Sequence, residues 1–277
     1  MEKTICMGHR GASFHAPQNT AASMKKAVEF GIAGIETDVH LTKDGVPVIN
    51  HNYTIDANSD GHGYISRMTY EELLTYDFGA WKGTEFAGER ILTLAQLLDL
   101  VKDMQVINIE LKSPVKKDTP FVRTVLQTVE EAGLAEKVIF SSFDADLLHQ
   151  VKTASEKYRV GLLTFAEAGS SMMREMVPTM LAMSSIPQAE QYLDCFSFPD
   201  RTLPELVDSL PYKPDYLHPD YHSVLMNPAL VGEMHRRGIG VNPWTCDRAE
   251  EMQALIAAGC DGIITNRPDI FLEVTHG

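Results

Sequence analysis

Short apolar runs alternate with amphipathic stretches almost from end to end of this 277-residue chain, and that alternation restricts its fold more than any other feature. Runs at 4–7, 34–40, 106–111, 138–142, 159–164, 216–218, 240–245 and 262–265 have the length and β-branched content of strands. Helical spacing fills 20–30, 120–132, 145–155, 228–237 and 248–258, with Gly31 closing the first helix. Strands alternating with helices build parallel βαβ units. Eight such units in this length predict an α/β fold of the (β/α)8 barrel type, with 1–277 as one barrel domain. The competing arrangement is a doubly wound open sheet. The turn after the first strand, Gly8-His9-Arg10-Gly11, lacks the GxGxxG pattern of dinucleotide binding.

Two stretches interrupt the alternation. Residues 46–50 read as a short extended return after the second strand. Residues 52–92, rich in Gly, Asp, Tyr and Thr and carrying Trp81, read as a small insertion packed over a barrel mouth. Within it, Thr69 and Glu72 have capping-box spacing for a short helix. From 165 to about 211 the chain reads as irregular or helical.

Hydrophobic residues make up 44% of the chain, enough for a sizeable core, and the formal net charge is −14. Such a surface repels phosphate backbones and anionic bilayers, so neither nucleic acid nor a membrane is an expected partner. A phosphate-bearing small molecule stays open, because a metal and a few local cations can reverse the field inside a cleft. No apolar run approaches the roughly 18 residues of a spanning helix, and the first residues lack an apolar signal core, so no stable membrane anchor is expected. Cys6, Cys195, Cys246 and Cys260 form no zinc or CxxC pattern and read as thiols in a reducing cytoplasm.

Glu36 and Asp38 stand two apart in the second strand, so they share a face. Paired acids on a buried strand repel each other and resist desolvation, which calls for a compensating cation. Either a divalent metal or an ion pair with Lys112 would serve. Glu110 and Lys112 repeat the spacing at the end of the strand at 106–111. Barrel sites lie at the C-terminal ends of the strands. There the fold would gather His9, Arg10, Glu36, Asp38, His51, Glu110, Lys112 and Trp244. Three carboxylates are hard ligands suited to Ca²⁺ or Mg²⁺, two histidines can act as base and acid near neutral pH, and Arg10 and Lys112 can meet a phosphate. That combination is what phosphodiester cleavage requires. His40, His62, His149, His235 and His276 fall in contexts that read as surface; His15, His218 and His222 are ambiguous.

These residues resemble the glycerophosphodiester phosphodiesterase family over nearly the whole chain. His9-Arg10-Gly11-Ala12 with Pro17-Gln18-Asn19-Thr20 is similar to the family's opening His-Arg-Gly and Pro-Glu-Asn-Thr. Glu36-Thr37-Asp38, His51 and Glu110-Leu111-Lys112 match its Glu-x-Asp, later His and Glu-x-Lys. Ser141-Ser142-Phe143-Asp144, Trp244-Thr245 and the run from Asp261 to Pro268 resemble its later blocks, and 52–92 its insertion. The resemblance implies a metal-dependent barrel hydrolase that releases glycerol 3-phosphate and an alcohol from a small-molecule phosphodiester. It implies metal ligands Glu36, Asp38 and Glu110, acid–base residues His9 and His51, phosphate contacts from Arg10 and Lys112, and Trp244 near the glycerol. Lysophospholipase D activity, or phosphate-ligand binding without turnover, are the rival readings. Gln18 and Asn52 depart from the family, which carries acids there.

Overall fold

The computed structural model describes residues 4–115, 117–165 and 201–276. Among the described residues nine strands occur, in the order β1 Ile5–His9, β2 Gly34–Leu41, β3 Pro47–Ile49, β4 Val106–Leu111, β5 Val138–Ser142, β6 Arg159–Thr164, β7 Tyr216–Pro219, β8 Gly240–Val241 and β9 Gly262–Thr265. Eight are parallel neighbours in the order β8-β7-β6-β5-β4-β2-β1-β9, while β3 returns antiparallel along β2. The two ends of that row meet: Asp261 N donates to Val241 O at 3.0 Å, Ile264 N to Pro243 O at 3.0 Å and Cys246 N to Ile264 O at 3.1 Å. The expected (β/α)8 barrel is therefore the observed one.

Both faces of these strands are covered, which is why they read as continuous apolar runs. Ile35 and Val39 on β2, Ile107 and Ile109 on β4, and Val160 and Leu162 on β6 pack outward into the main core under the helices. The intervening residues point into the barrel. Parallel pairing sets Asp38 beside Glu110 and His9 beside Glu36, so side chains remote in sequence become lateral neighbours.

Most helices stand where the periodicity puts them, including Ala21–Glu29, Thr119–Glu131, Ala145–Ala154 and Ala249–Ala258. The helix Leu94–Val101 is an addition. It starts at a Thr93/Gln96 capping box and buries Leu94, Leu97, Leu98 and Val101. Tyr221–Met226 and Pro268–His276 are likewise additions, whereas Leu203–Asp208 lies in the stretch read as irregular or helical. The strand expected at 240–245 pairs regularly only over Gly240–Val241. Asn242 N and Trp244 N still donate to Leu217 O and Pro219 O at 3.0 Å, but Pro219 has no N–H to return a bond, and Trp244 forms an isolated bridge with Asp220. The irregular or helical expectation for 165–211, and Cys195, fall largely outside the described residues.

The stretch 52–92 contains the expected capped turn of helix, Tyr70–Leu73 behind Thr69 and Glu72. It has a small core of its own, made by Ile55, Ile65, Leu73, Phe78 and Ile91 closing on Val48 of β3. Ile65 is fully buried there. Ile65→Ala should cost about 2–4 kcal/mol, and hydrogen exchange should quicken across 52–92 while the barrel strands stay protected. Uniform loosening of the whole barrel would contradict two separate cores.

Candidate active site

β1, β2, β4 and the loop after β3 deliver their polar residues to one cavity of about 460 Å³ at the C-terminal ends of the strands. His9, Arg10, Glu36, His51, Glu110, Lys112 and Trp244 line it; Tyr53, Tyr64, Phe143, Leu163, Phe165 and Ile264 form its apolar wall. Asp38 lies just beneath and is fully buried. Every residue singled out in the sequence for this site is thus brought to it.

Glu36, Asp38 and Glu110 each offer a carboxylate oxygen within 4.8 Å of the others. Lys112 Nζ lies 2.7 Å from Glu110 Oε1 and 3.2 Å from Asp38 Oδ1, and Arg10 Nε lies 3.7 Å from Asp38 Oδ2. The ion pair with Lys112 is real, but three carboxylates against Arg10 and Lys112 leave one acid without a cation. Titration reflects this. Burial, and then repulsion from Asp38 and Glu110, hold the Glu36 carboxyl well above the usual range. Burial likewise pushes Glu110 up to about 7, against the pull of Lys112. For Asp38 burial is outweighed, chiefly by Lys112, and its carboxyl sits well below the ordinary range. Asp38 Oδ1 accepts no hydrogen bond despite its nearness to Lys112. Hard oxygen donors, an excess negative charge and an unbonded carboxylate oxygen fit a divalent cation. Protons on Glu36 and Glu110 must leave when it binds. Cation affinity should therefore rise with pH up to about 7, with proton release, in titration calorimetry. The gain in Tm on adding the cation should grow between pH 5 and 8; a pH-independent gain would place the ion elsewhere.

The two histidines differ in how they are held. Burial, then the Arg10 charge, pushes His9 down to about 3, and burial followed by Lys112 holds His51 well below the ordinary range, so both rings are neutral at pH 7. His9 Nδ1 is 2.7 Å from Asn266 Oδ1, which also accepts from Ser13 Oγ. Asn266 donates its Nδ2 to Asp247 Oδ2 at 2.7 Å, and Asp247 Oδ1 accepts from Asn266 N and Thr265 Oγ1. A carboxylate only accepts, so the Asn266 amide cannot turn round. His9 must then carry its proton on Nδ1, leaving the Nε2 lone pair on the side of Glu36, whose Oε2 is 3.9 Å away. His51 Nδ1 meets the neighbouring Asn52 Oδ1 at 2.7 Å, so the amide at 52 keeps the hydrogen bond an acid would make, without its charge. Asp247→Asn should free the Asn266 amide and lower kcat roughly 10- to 100-fold with little change in Tm; the His9 ring ¹⁵N shifts should show mixed tautomers.

Arg10 and Asn19 both adopt left-handed backbone, at φ 55° and 59°. Asn19 N donates to Arg10 O at 3.0 Å, its Nδ2 to Asp38 Oδ2 at 2.8 Å, and Arg10 N to Glu36 Oε2 at 3.1 Å. The strained turn between β1 and the first helix thus grips two of the three acids. Asn19, Asn266 and Asp247 were not legible as site residues. One correction is needed: His40, read as surface, is buried, with its Nε2 3.3 Å from His51 O. It points inward because it continues the Glu36, Asp38 face of β2. His218 is also buried, with Nε2 3.2 Å from Asn242 Nδ2.

An eight-stranded parallel barrel with a buried acidic triad and two imidazoles gathered at its mouth is the architecture of a (β/α)8-barrel enzyme site. A family model described as the glycerophosphoryl diester phosphodiesterase family matches residues 9–270. The chain belongs to that family. It is 34% identical over 275 residues to a glycerophosphodiester phosphodiesterase of Caldanaerobacter subterraneus, covering 99% of this chain and 98% of the relative. Among solved structures, a putative glycerophosphoryl diester phosphodiesterase of Silicibacter pomeroyi superposes with a TM-score of 0.78 at 24% identity, over 99% of this chain and 94% of that one. A phosphodiesterase of Oleispira antarctica, in complex with the product sn-glycerol-3-phosphate, gives 0.76 at 24% identity, over 99% and 98%.

Proposed function

We propose that this chain hydrolyses glycerophosphodiesters to glycerol 3-phosphate and an alcohol, with Glu36, Asp38 and Glu110 holding a divalent cation and His9 and His51 moving the protons. The observation that carries the reading is the meeting, in one cavity of a barrel of this family, of a charge-deficient carboxylate triad with two imidazoles held through Nδ1. The cation, Ca²⁺ or Mg²⁺, would polarise a phosphoryl oxygen. Arg10 and Lys112 bind the remaining phosphate oxygens and offset the charge that builds there. One imidazole accepts the proton of the attacking oxygen, from water or a substrate hydroxyl. The other, protonated once the diester's negative charge supplies the counter-ion that burial withholds, returns a proton to the departing alkoxide. Trp244 packs beside the glycerol. Its ring is fixed by the Nε1 hydrogen bond to His218 O at 2.8 Å and by an edge contact with Phe143.

Residues 52–92 act as the wall of the mouth through Tyr53, Thr54 and Tyr64. The apolar face of the cavity also supports a second substrate class, lysophospholipids, cleaved in the manner of a lysophospholipase D. No helix among the described residues is long and apolar enough to cross a membrane. Cys6, Cys246 and Cys260 are free and buried, which accords with a cytoplasmic protein.

His9→Ala and His51→Ala, each still folded, should lose roughly 10²–10⁴ in kcat, and exhaustive chelation should abolish turnover. Near-normal hydrolysis in either variant would sink the proton-transfer roles, and activity that survives chelation would remove the cation. A screen of glycerophosphocholine, glycerophosphoethanolamine, glycerophosphoglycerol and lysophospholipids with Ca²⁺, Mg²⁺ or Mn²⁺ separates the two substrate classes.

A further inference from the structure

We infer that Gln18 is a positioning residue for Arg10, and that its carboxamide, where relatives are expected to carry a carboxylate, is dictated by a chain of amides running from the His51 loop. This rests on Arg10 being a phosphate-binding residue.

The chain of amides has one fixed end. Asn50 is buried and donates its Nδ2 to two backbone carbonyls, Asn52 O at 2.7 Å and Thr54 O at 3.2 Å. A carbonyl only accepts, so the Asn50 amide cannot reverse, and its Oδ1 faces Asn58. Asn58, also buried, must donate there; its Nδ2 lies 3.2 Å from Asn50 Oδ1. Its own Oδ1 is thereby turned to position 18, where Gln18 Nε2 donates at 2.8 Å. The residue at 18 has to offer a donor on that side and an acceptor on the other. Glutamine does both, with Oε1 taking the hydrogen bond of Arg10 Nη1. A glutamate would set a carboxylate oxygen against Asn58 Oδ1, with no rotation of either Asn58 or Asn50 to relieve it.

The second consequence is electrostatic. Lys112 is in contact with two carboxylates, Glu110 and Asp38. The Arg10 guanidinium contacts its carboxylate at longer range: Asp38 Oδ2 is 3.7 Å from Nε and is shared with Asn19, while Glu36 is met by the Arg10 backbone N–H. The neutral amide orients the guanidinium without discharging it. Arg10 is therefore less neutralised than Lys112, since its Nη1 meets a neutral amide and Asp38 lies at the longer distance. A glutamate at 18 would claim the same Nη1 as an ion pair and lower that charge.

The test compares Gln18→Glu with the double variant Gln18→Glu/Asn58→Ala, which keeps the added charge but removes the clashing oxygen. Inorganic phosphate is the probe, measured by calorimetry and as an inhibitor, alongside KM and kcat for glycerophosphocholine. Gln18→Glu should lower Tm, weaken phosphate binding and raise KM roughly tenfold, with kcat changed far less. The double variant should keep the weak phosphate binding. Phosphate binding at the wild-type level in the double variant would overturn the inference, as would an unchanged Tm and KM in Gln18→Glu. If the wild-type chain turns over no phosphodiester while phosphate binding still responds to Gln18→Glu, the assigned reaction fails and the role of Gln18 stands.

Discussion

Three carboxylates forced together in the dry mouth of a barrel are the constraint around which the rest is arranged. Parallel register places Asp38 against Glu110, and the alternation of β2 places Glu36 on the same side. Desolvating such a cluster is unfavourable unless cations or protons intervene. The chain answers with Lys112 from the neighbouring strand position, Arg10 from a left-handed turn, and the Asn19 amide. These still fall one charge short, and that deficit suits the carboxylate cluster to a divalent ion.

The two imidazoles at the mouth are held by neutral partners. His9 and His51 each face an amide oxygen through Nδ1. An amide fixes ring orientation as a carboxylate would, without adding negative charge to a mouth that already carries an excess. Asp247 contributes its charge at a distance, by locking the Asn266 amide. The same economy appears at Gln18. Where the site needs orientation it uses dipoles, and where it needs charge it uses the triad and its two cations.

Much of this was legible because it is periodic. The spacing of Glu36 with Asp38 and of Glu110 with Lys112 declares shared faces, and the strand–helix alternation declares the barrel that brings those faces together. What was not legible depends on closure. The His9 contact to Asn266 spans nearly the whole chain, and nothing in the run around Asp247 marks it as the anchor of an amide. A histidine in a polar stretch such as that around His40 reads as solvated, yet the alternation that places Glu36 and Asp38 also turns His40 inward. The strand at 240–245 pairs regularly over only two residues because its neighbour β7 ends at Pro219, which has no N–H to return to it.

β3 has only three residues, and its two apolar side chains serve different masters. Ile49 packs in the barrel core and Val48 in the small core of the insertion. His51 follows two residues later. The ring is therefore surveyed from two independent reference points, much as a beam resting on two piers takes its level from both. Substitutions among the outer-core side chains Ile55, Ile65, Leu73, Phe78 and Ile91, none of which lines the cavity, would reach His51 through Val48.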